Sequence, residues 1–224
     1  MPLYSSDALI LRTYKLGEAD RIVVFLTRDR GKKRGVAKGA RRPRSKFVGG
    51  LEPLTNVRVA YFEKERRELV SVNYSEPSCS PLSAIDPDAL GYAHYFAELL
   101  DEWAQDADPE ERLYRLGASM VEAFAAGVPA EPLARYFEYW LLRLQGLRPT
   151  YGELRLSADA LAFLASVRSV NPLKIGGLRT APEVLREVEL VHRALISTHL
   201  EKELKSIRVL NDMKKRIFTE PRHL

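Results

Sequence analysis

The first 76 positions alternate short apolar bursts with turns. Residues 8–14 (Ala-Leu-Ile-Leu-Arg-Thr-Tyr) and 21–27 (Arg-Ile-Val-Val-Phe-Leu-Thr) are apolar and β-branched, and Leu16-Gly17-Glu18 marks a turn between them, so both read as strands. Arg28-Asp29-Arg30-Gly31 makes a tight connection to a third strand over residues 32–40. After a loop rich in Arg, Pro and Gly (41–53), residues 55–62 and 68–76 predict a second hairpin around the charged turn Glu63-Lys64-Glu65-Arg66. Five short strands in so little chain predict a small barrel, closed or nearly so, because closure is how a short sheet removes its edges.

From Pro77 the period changes. Pro77, Pro81 and Pro87 interrupt the chain, which marks residues 77–87 as a linker and starts a helix near Asp88. Leu90, Ala93, His94, Ala97, Leu100 and Trp103 then recur at helical spacing, and further helices are predicted over 109–126, 132–144, 158–167 and 182–204. The fold class is α+β: a five-stranded barrel over residues 1–76, then an all-helical domain over 88–224.

Charge divides along the same boundary. The 224 residues carry a formal net charge of +5. Residues 1–76 hold 17 basic and 9 acidic side chains, residues 77–201 hold 11 and 18, and residues 202–224 hold 7 and 3. A basic barrel ahead of an acidic helical domain favours a polyanionic partner for the barrel. The one cysteine, Cys79, excludes an intramolecular disulfide and a cysteine-ligated zinc site. The first residues show no basic segment leading into an apolar one, and no apolar run is long enough to span a bilayer. A soluble, cytoplasmic protein without membrane contact is expected.

The densest feature is residues 28–46, with ten basic side chains and one acidic in nineteen positions. Alternation puts Lys32, Arg34, Val36 and Lys38 on one face of the third strand and Lys33, Gly35, Ala37 and Gly39 on the other. Most charge runs are solvated faces. This one concentrates like charge on one sheet and its adjoining loop, a self-repulsion that a phosphate backbone relieves. The candidate nucleic-acid-binding set is therefore Lys32, Arg34, Lys38, Arg41, Arg42, Arg44 and Lys46, with Arg12, Tyr14 and Arg21 on neighbouring strands. Aromatic residues interleave with it, as single-strand stacking requires. Phe25 and Tyr74 read as core, one of the adjacent Tyr61 and Phe62 must face outward, and Tyr14 and Phe47 stay open between core and stacking.

Signals of catalysis are poor. Gly31-Lys32-Lys33-Arg34-Gly35 lacks the spacing and the Gly-Lys-Ser/Thr of a nucleotide-binding loop, and the four histidines (94, 192, 199, 223) are scattered. Asp101-Glu102 and Asp108-Glu110-Glu111 lie at predicted helix ends, where the helix dipole explains them better than a metal centre does. No enzyme, cofactor or metal is expected.

Residues 8–12, Leu16-Gly17-Glu18-Ala19-Asp20-Arg21, Ala37-Lys38-Gly39-Ala40-Arg41-Arg42-Pro43-Arg44-Ser45 and Leu51-Glu52-Pro53-Leu54 together resemble the N-terminal region of the RecO recombination mediators. Ala97-Glu98-Leu99-Leu100, residues 139–149 and Leu204-Lys205-Ser206-Ile207-Arg208 resemble later parts of the same family. The resemblance implies an N-terminal OB-fold and ATP-independent binding and annealing of single- and double-stranded DNA. It also implies partnership with the RecR mediator and with the single-strand-binding protein, and indirectly the loading of RecA. Many relatives carry a four-cysteine zinc module, but residues 150–177 hold no cysteine. Lys33 stands where relatives often carry an aliphatic side chain, which implies an open barrel end or a bulge there.

Two alternatives stand beside DNA binding: an RNA-binding barrel with a helical interaction domain, and a metal nuclease, for which Glu18 and Asp20 are the only nearby acids. If the acidic, apolar-tipped tail of a single-strand-binding protein docks on the helical domain, the cations offered are Lys202, Lys205, Arg208, Lys214, Lys215 and Arg216. Arg135, Arg143 and Arg148 would complete the rim beside Trp140 and Leu144. The plainer reading makes these cations a solvated face of the final helix.

Overall fold

The computed structural model describes residues 2–64, 68–83, 88–147, 151, 154 and 156–219, the last seven of these as backbone only. Five strands, β1 (Leu3–Leu16), β2 (Asp20–Thr27), β3 (Gly31–Ala37), β4 (Asn56–Phe62) and β5 (Val70–Cys79), close in the order β1-β2-β3-β5-β4. All pairings are antiparallel except β3 with β5. This is the strand order of the OB-fold, as expected.

Strand ends differ from the sequence reading for local reasons. β1 begins at Leu3 because residues 3–9 pair with β4. β3 stops at Ala37 because Gly39 takes a positive φ of 72° and turns the chain. β5 continues to Cys79, paired with Asn56, so residues 77–79 of the expected linker belong to the sheet. Residues 81–83 form a 3-10 turn, and 84–87 lie outside the described residues.

Inward-facing Ala8, Ile10, Val23, Phe25, Ala37, Val57, Val59, Tyr61, Val70 and Val72 fill the barrel, and Phe47 and Leu51 from the β3–β4 connection plug it. Phe47 is thus a core residue. Gly35 is required here, since a Cβ would lie 2.7 Å from a methyl of Val72. Lys33 also points into the barrel, without a bulge in the β2–β3 register, and its ammonium reaches Glu63 at the barrel end (2.8 Å). Tyr74 departs from expectation. A register shift between Ala60 and Tyr61 displaces the alternation of β5, leaving Tyr74 36% exposed with its hydroxyl 3.5 Å from Ser5.

The opposite faces of β1 and β2 are buried as well. Leu9, Leu11, Val24 and Leu26, with Leu54 from the loop, join the core of the helices. Burial on both faces is why these strands read as continuous apolar runs rather than alternating ones. The helices are α1 (Ala89–Trp103), α2 (Glu111–Ala125), α3 (Ala130–Leu144), α4 (Ala158–Val167), α5 (Pro182–Leu200) and α6 (Lys205–Thr219). Phe96 stacks on Phe137 at their centre, with ring centroids 4.2 Å apart. The predicted helix over 182–204 stops at Leu200, where Glu201 takes a left-handed φ of 52°. The chain restarts as α6 with its N-terminus held by Glu98 of α1, which accepts hydrogen bonds from the Lys205 and Ser206 amides (3.0 and 2.8 Å) and the Ser206 hydroxyl (2.5 Å).

Barrel and helices are stitched together at the β2–β3 turn. The Lys32 amide donates to Gln105 O (3.2 Å), and Lys32 O accepts from the Ala107 amide (3.0 Å).

Candidate nucleic-acid interface

The basic loop after β3 stands on a fixed base. Phe47 and Leu51 anchor it in the barrel. Asp20 accepts from the Gly39 amide (2.7 Å), the Arg41 amide donates to Ala19 O (2.9 Å), and the Arg41 guanidinium donates to Gly17 O (2.9 Å). The β1–β2 turn and the β3–β4 loop therefore form one rim at one end of the barrel. On it Lys38, Arg41, Arg42, Arg44 and Lys46 are exposed. Lys46 lies 5.4 Å from the Phe47 ring centroid and 3.5 Å from Asn73 Oδ1. None of the five pairs with a carboxylate among the described residues. Asp20, one of the two acids open to a metal role, is engaged with the loop backbone.

The strand cations are distributed differently. Arg34 is exposed on the outer face of β3. Lys32 faces the same way but is only 8% exposed, because α1 covers it: its ammonium donates to Asp101 O (2.7 Å) and lies 3.5 Å from Asp101 Oδ1. Arg12 contacts Asp101 (2.5 Å) and Glu102 (3.6 Å) and donates to the Tyr14 hydroxyl (2.9 Å). Arg21 donates to Thr13 Oγ1 (3.1 Å) across the β1–β2 pair. Tyr14 is 45% exposed, a ring open to stacking beside Arg12 and Arg34.

In the helical domain Arg135, expected at a groove rim, is 2% exposed. It pairs with Glu138 (2.9 Å) and Glu189 (3.6 Å) inside the bundle, where Glu138 also accepts from the Tyr95 hydroxyl (2.9 Å) and contacts His192 Nδ1 (3.1 Å). Tyr151 meets His192 Nε2 at 3.0 Å, and burial pushes its phenol up. This network ties α1, α3 and α5 together. Arg143 packs over Tyr139 and Trp140. Arg148 and the side chains of Lys214, Lys215 and Arg216 lie outside the described residues.

Trp140 and Leu144 do line a groove of about 400 Å³, but its cations are Arg112 and Arg115 of α2, Arg115 is paired with Glu111 (2.9 Å), and Glu122 lines the groove as well. Sequence spacing alone gave no sign of this pairing of α2 with α3. Among the described residues no three His, Cys, Asp or Glu side chains gather as metal donors. Residues 150–177 hold neither Cys nor His. No helix among the described residues is long and apolar enough to cross a membrane.

Residues 1–80 match the family model described as recombination protein O N terminal, and residues 85–153 match that for recombination protein O C terminal. The chain is 42% identical over 149 residues to DNA repair protein RecO of Koribacter versatilis, an alignment covering 66% of this chain and 60% of that protein. It is 30% identical to the protein of that name from Pelotomaculum thermopropionicum, over 94% of both chains. With the RecO of Streptomyces coelicolor it shares 30% identity over 93% of this chain and 98% of the relative. An OB-fold barrel joined to helices, matched along nearly its whole length by such relatives, makes this chain a member of the RecO family of DNA repair proteins.

Proposed function

We propose that this protein acts in DNA repair as a recombination mediator that binds single- and double-stranded DNA and anneals complementary strands without a bond-changing step. The observation that carries the reading is the anchored rim of Lys38, Arg41, Arg42, Arg44 and Lys46, exposed and without carboxylate partners among the described residues. Cations on a rigid base contact phosphates with little further ordering, and neutralising two strands on one protein removes the repulsion that slows their pairing. Arg34 and Tyr14 extend the rim along the barrel's outer face, as a phosphate contact and a stacking surface.

The groove of Arg112, Arg115, Trp140 and Leu144 supports docking of the acidic, apolar-tipped tail of a single-strand-binding protein. In this reading the protein works in the cytoplasm at the nucleoid, with RecR, and helps load RecA on DNA covered by single-strand-binding protein.

The test is annealing of two complementary labelled oligonucleotides without ATP, once with Mg²⁺ and once with EDTA, together with binding of DNA and RNA of equal length. Accelerated annealing, intact strands on a gel and tighter binding to DNA are expected. Cleaved products would replace this reading with a nuclease, and preference for RNA would replace it with an RNA-binding barrel.

A further inference from the structure

Asp101 and Glu102 sit in the last turn of α1, which ends at Trp103. Carboxylates there face the negative end of the helix dipole, an unfavourable position for them. Their counterions come from the barrel and from Lys202, between α5 and α6. Asp101 contacts Arg12 and Lys32, and Glu102 contacts Arg12 and, from the other side, Lys202.

These groups border an open cleft of about 420 Å³ between the outer barrel face and α1. It is lined by Tyr14, Ile22, Val24, Arg34 and Leu69 together with the two acids and their partners. A cleft with an exposed ring and a guanidinium that meets no carboxylate among the described residues has the chemistry of a nucleotide subsite, yet its other two cations already face carboxylates.

We propose that Asp101 and Glu102 stand in for nucleic-acid phosphates on the barrel, withholding Arg12 and Lys32 so that binding is confined to the β3–β4 rim and Arg34. This rests on the nucleic-acid reading above and adds to it an acidic gate supplied by the helical domain. Displacing the two carboxylates opens a second tract of the same surface, with a phosphate on Arg12 or Lys32 and a base on Tyr14. The gate limits the number of phosphates held at once, which keeps bound strands exchangeable.

The test compares the dependence of single-stranded DNA affinity on salt in the parent chain and in Asp101→Asn/Glu102→Gln. Each newly engaged phosphate steepens log K against log[salt] by about 0.7, so freeing Arg12 and Lys32 steepens it by up to about 1.4, with Lys202→Gln added to both chains to remove the third cation that Glu102 holds. Adding Arg12→Gln to the double variant reverses about half of that gain. Asp159→Asn/Glu183→Gln, which changes net charge equally on α4 and α5, keeps the parent slope.

Should the double variant fail to fold, Asp101→Asn alone keeps the Lys32 bond to the Asp101 carbonyl oxygen, removes the nearer partner of Arg12 and steepens the slope by up to about 0.7. An unchanged slope in a folded gate variant, or equal steepening in the distant pair, overturns the gate while leaving the rim in place. A parent chain whose DNA binding is insensitive to salt overturns the nucleic-acid reading and the gate with it.

Discussion

Gly31 lies against the backbone of Asp108 so closely that a Cβ at position 31 would sit 2.4 Å from both the amide nitrogen and the carbonyl oxygen of Asp108. The glycine also holds a φ of 67°. The turn between β2 and β3 can therefore meet the α1–α2 connection only without a side chain. Gly31→Ala is expected to cost ~2 kcal/mol or more, from left-handed strain together with separation of the junction. The shift of the urea unfolding midpoint measures it, and a midpoint within error of the parent would show that the junction yields without cost.

Arg41→Ala, Arg42→Ala and Arg44→Ala combined should lower the salt slope of single-stranded DNA binding by up to about two, with similar loss for every sequence. Their side chains lie outside the core, so the melting temperature should hold. A triple variant with the parent slope would move the phosphate contacts elsewhere.

Glu98 links α1 to α6 through three hydrogen bonds and titrates below the usual glutamate value of about 4.5: burial works against its ionisation, and the bonds from Ser206 and Lys205 outweigh burial. A carboxyl whose folded value is depressed adds stability above its unfolded value, and that stability is lost as pH falls through the folded one. Glu98→Gln should therefore destabilise by about 1 kcal/mol at pH 7, with the difference shrinking below pH 4.5. Thermal melts of both proteins across pH 3–7 check this, and a difference constant with pH would remove Glu98 as the acid-sensitive link.

The five strands and the helices of the second domain were legible because short apolar runs separated by turns give way to a period of 3.6 between Pro77 and Ala89. The rim was legible as well, since its cations and the turn-forming Gly39 and Pro43 are contiguous. What the sequence could not display is pairing across distance. Asp101 and Glu102 read as dipole partners until the end of α1 was known, and Lys32 and Arg12 read as free until α1 was laid over them. Arg135 has the spacing of a surface residue on α3, but Glu189, 54 positions away, draws it inside. Tyr74 read as core because a bulge cannot be seen in alternation alone.

Arg112→Glu with Arg115→Glu should weaken binding of an acidic peptide with an apolar C-terminal tip at least tenfold at low salt, reversing attraction at the rim of the Trp140 groove. Quenching or enhancement of tryptophan fluorescence on titration reports occupancy beside Trp140, and unchanged affinity would send the peptide to another surface.

The placement of Leu9, Leu11, Val24, Leu26 and Leu54 in the helical core bears on how this chain can be cut. Severed after Cys79, the N-terminal piece would display those five aliphatic side chains as one contiguous greasy wall on an otherwise intact OB-fold, and the helical piece would bear the matching scar. Each piece would stick to itself before it could report on DNA. The basic barrel and the acidic bundle thus share a single solubility, and the seam between them cannot be opened without cost to both.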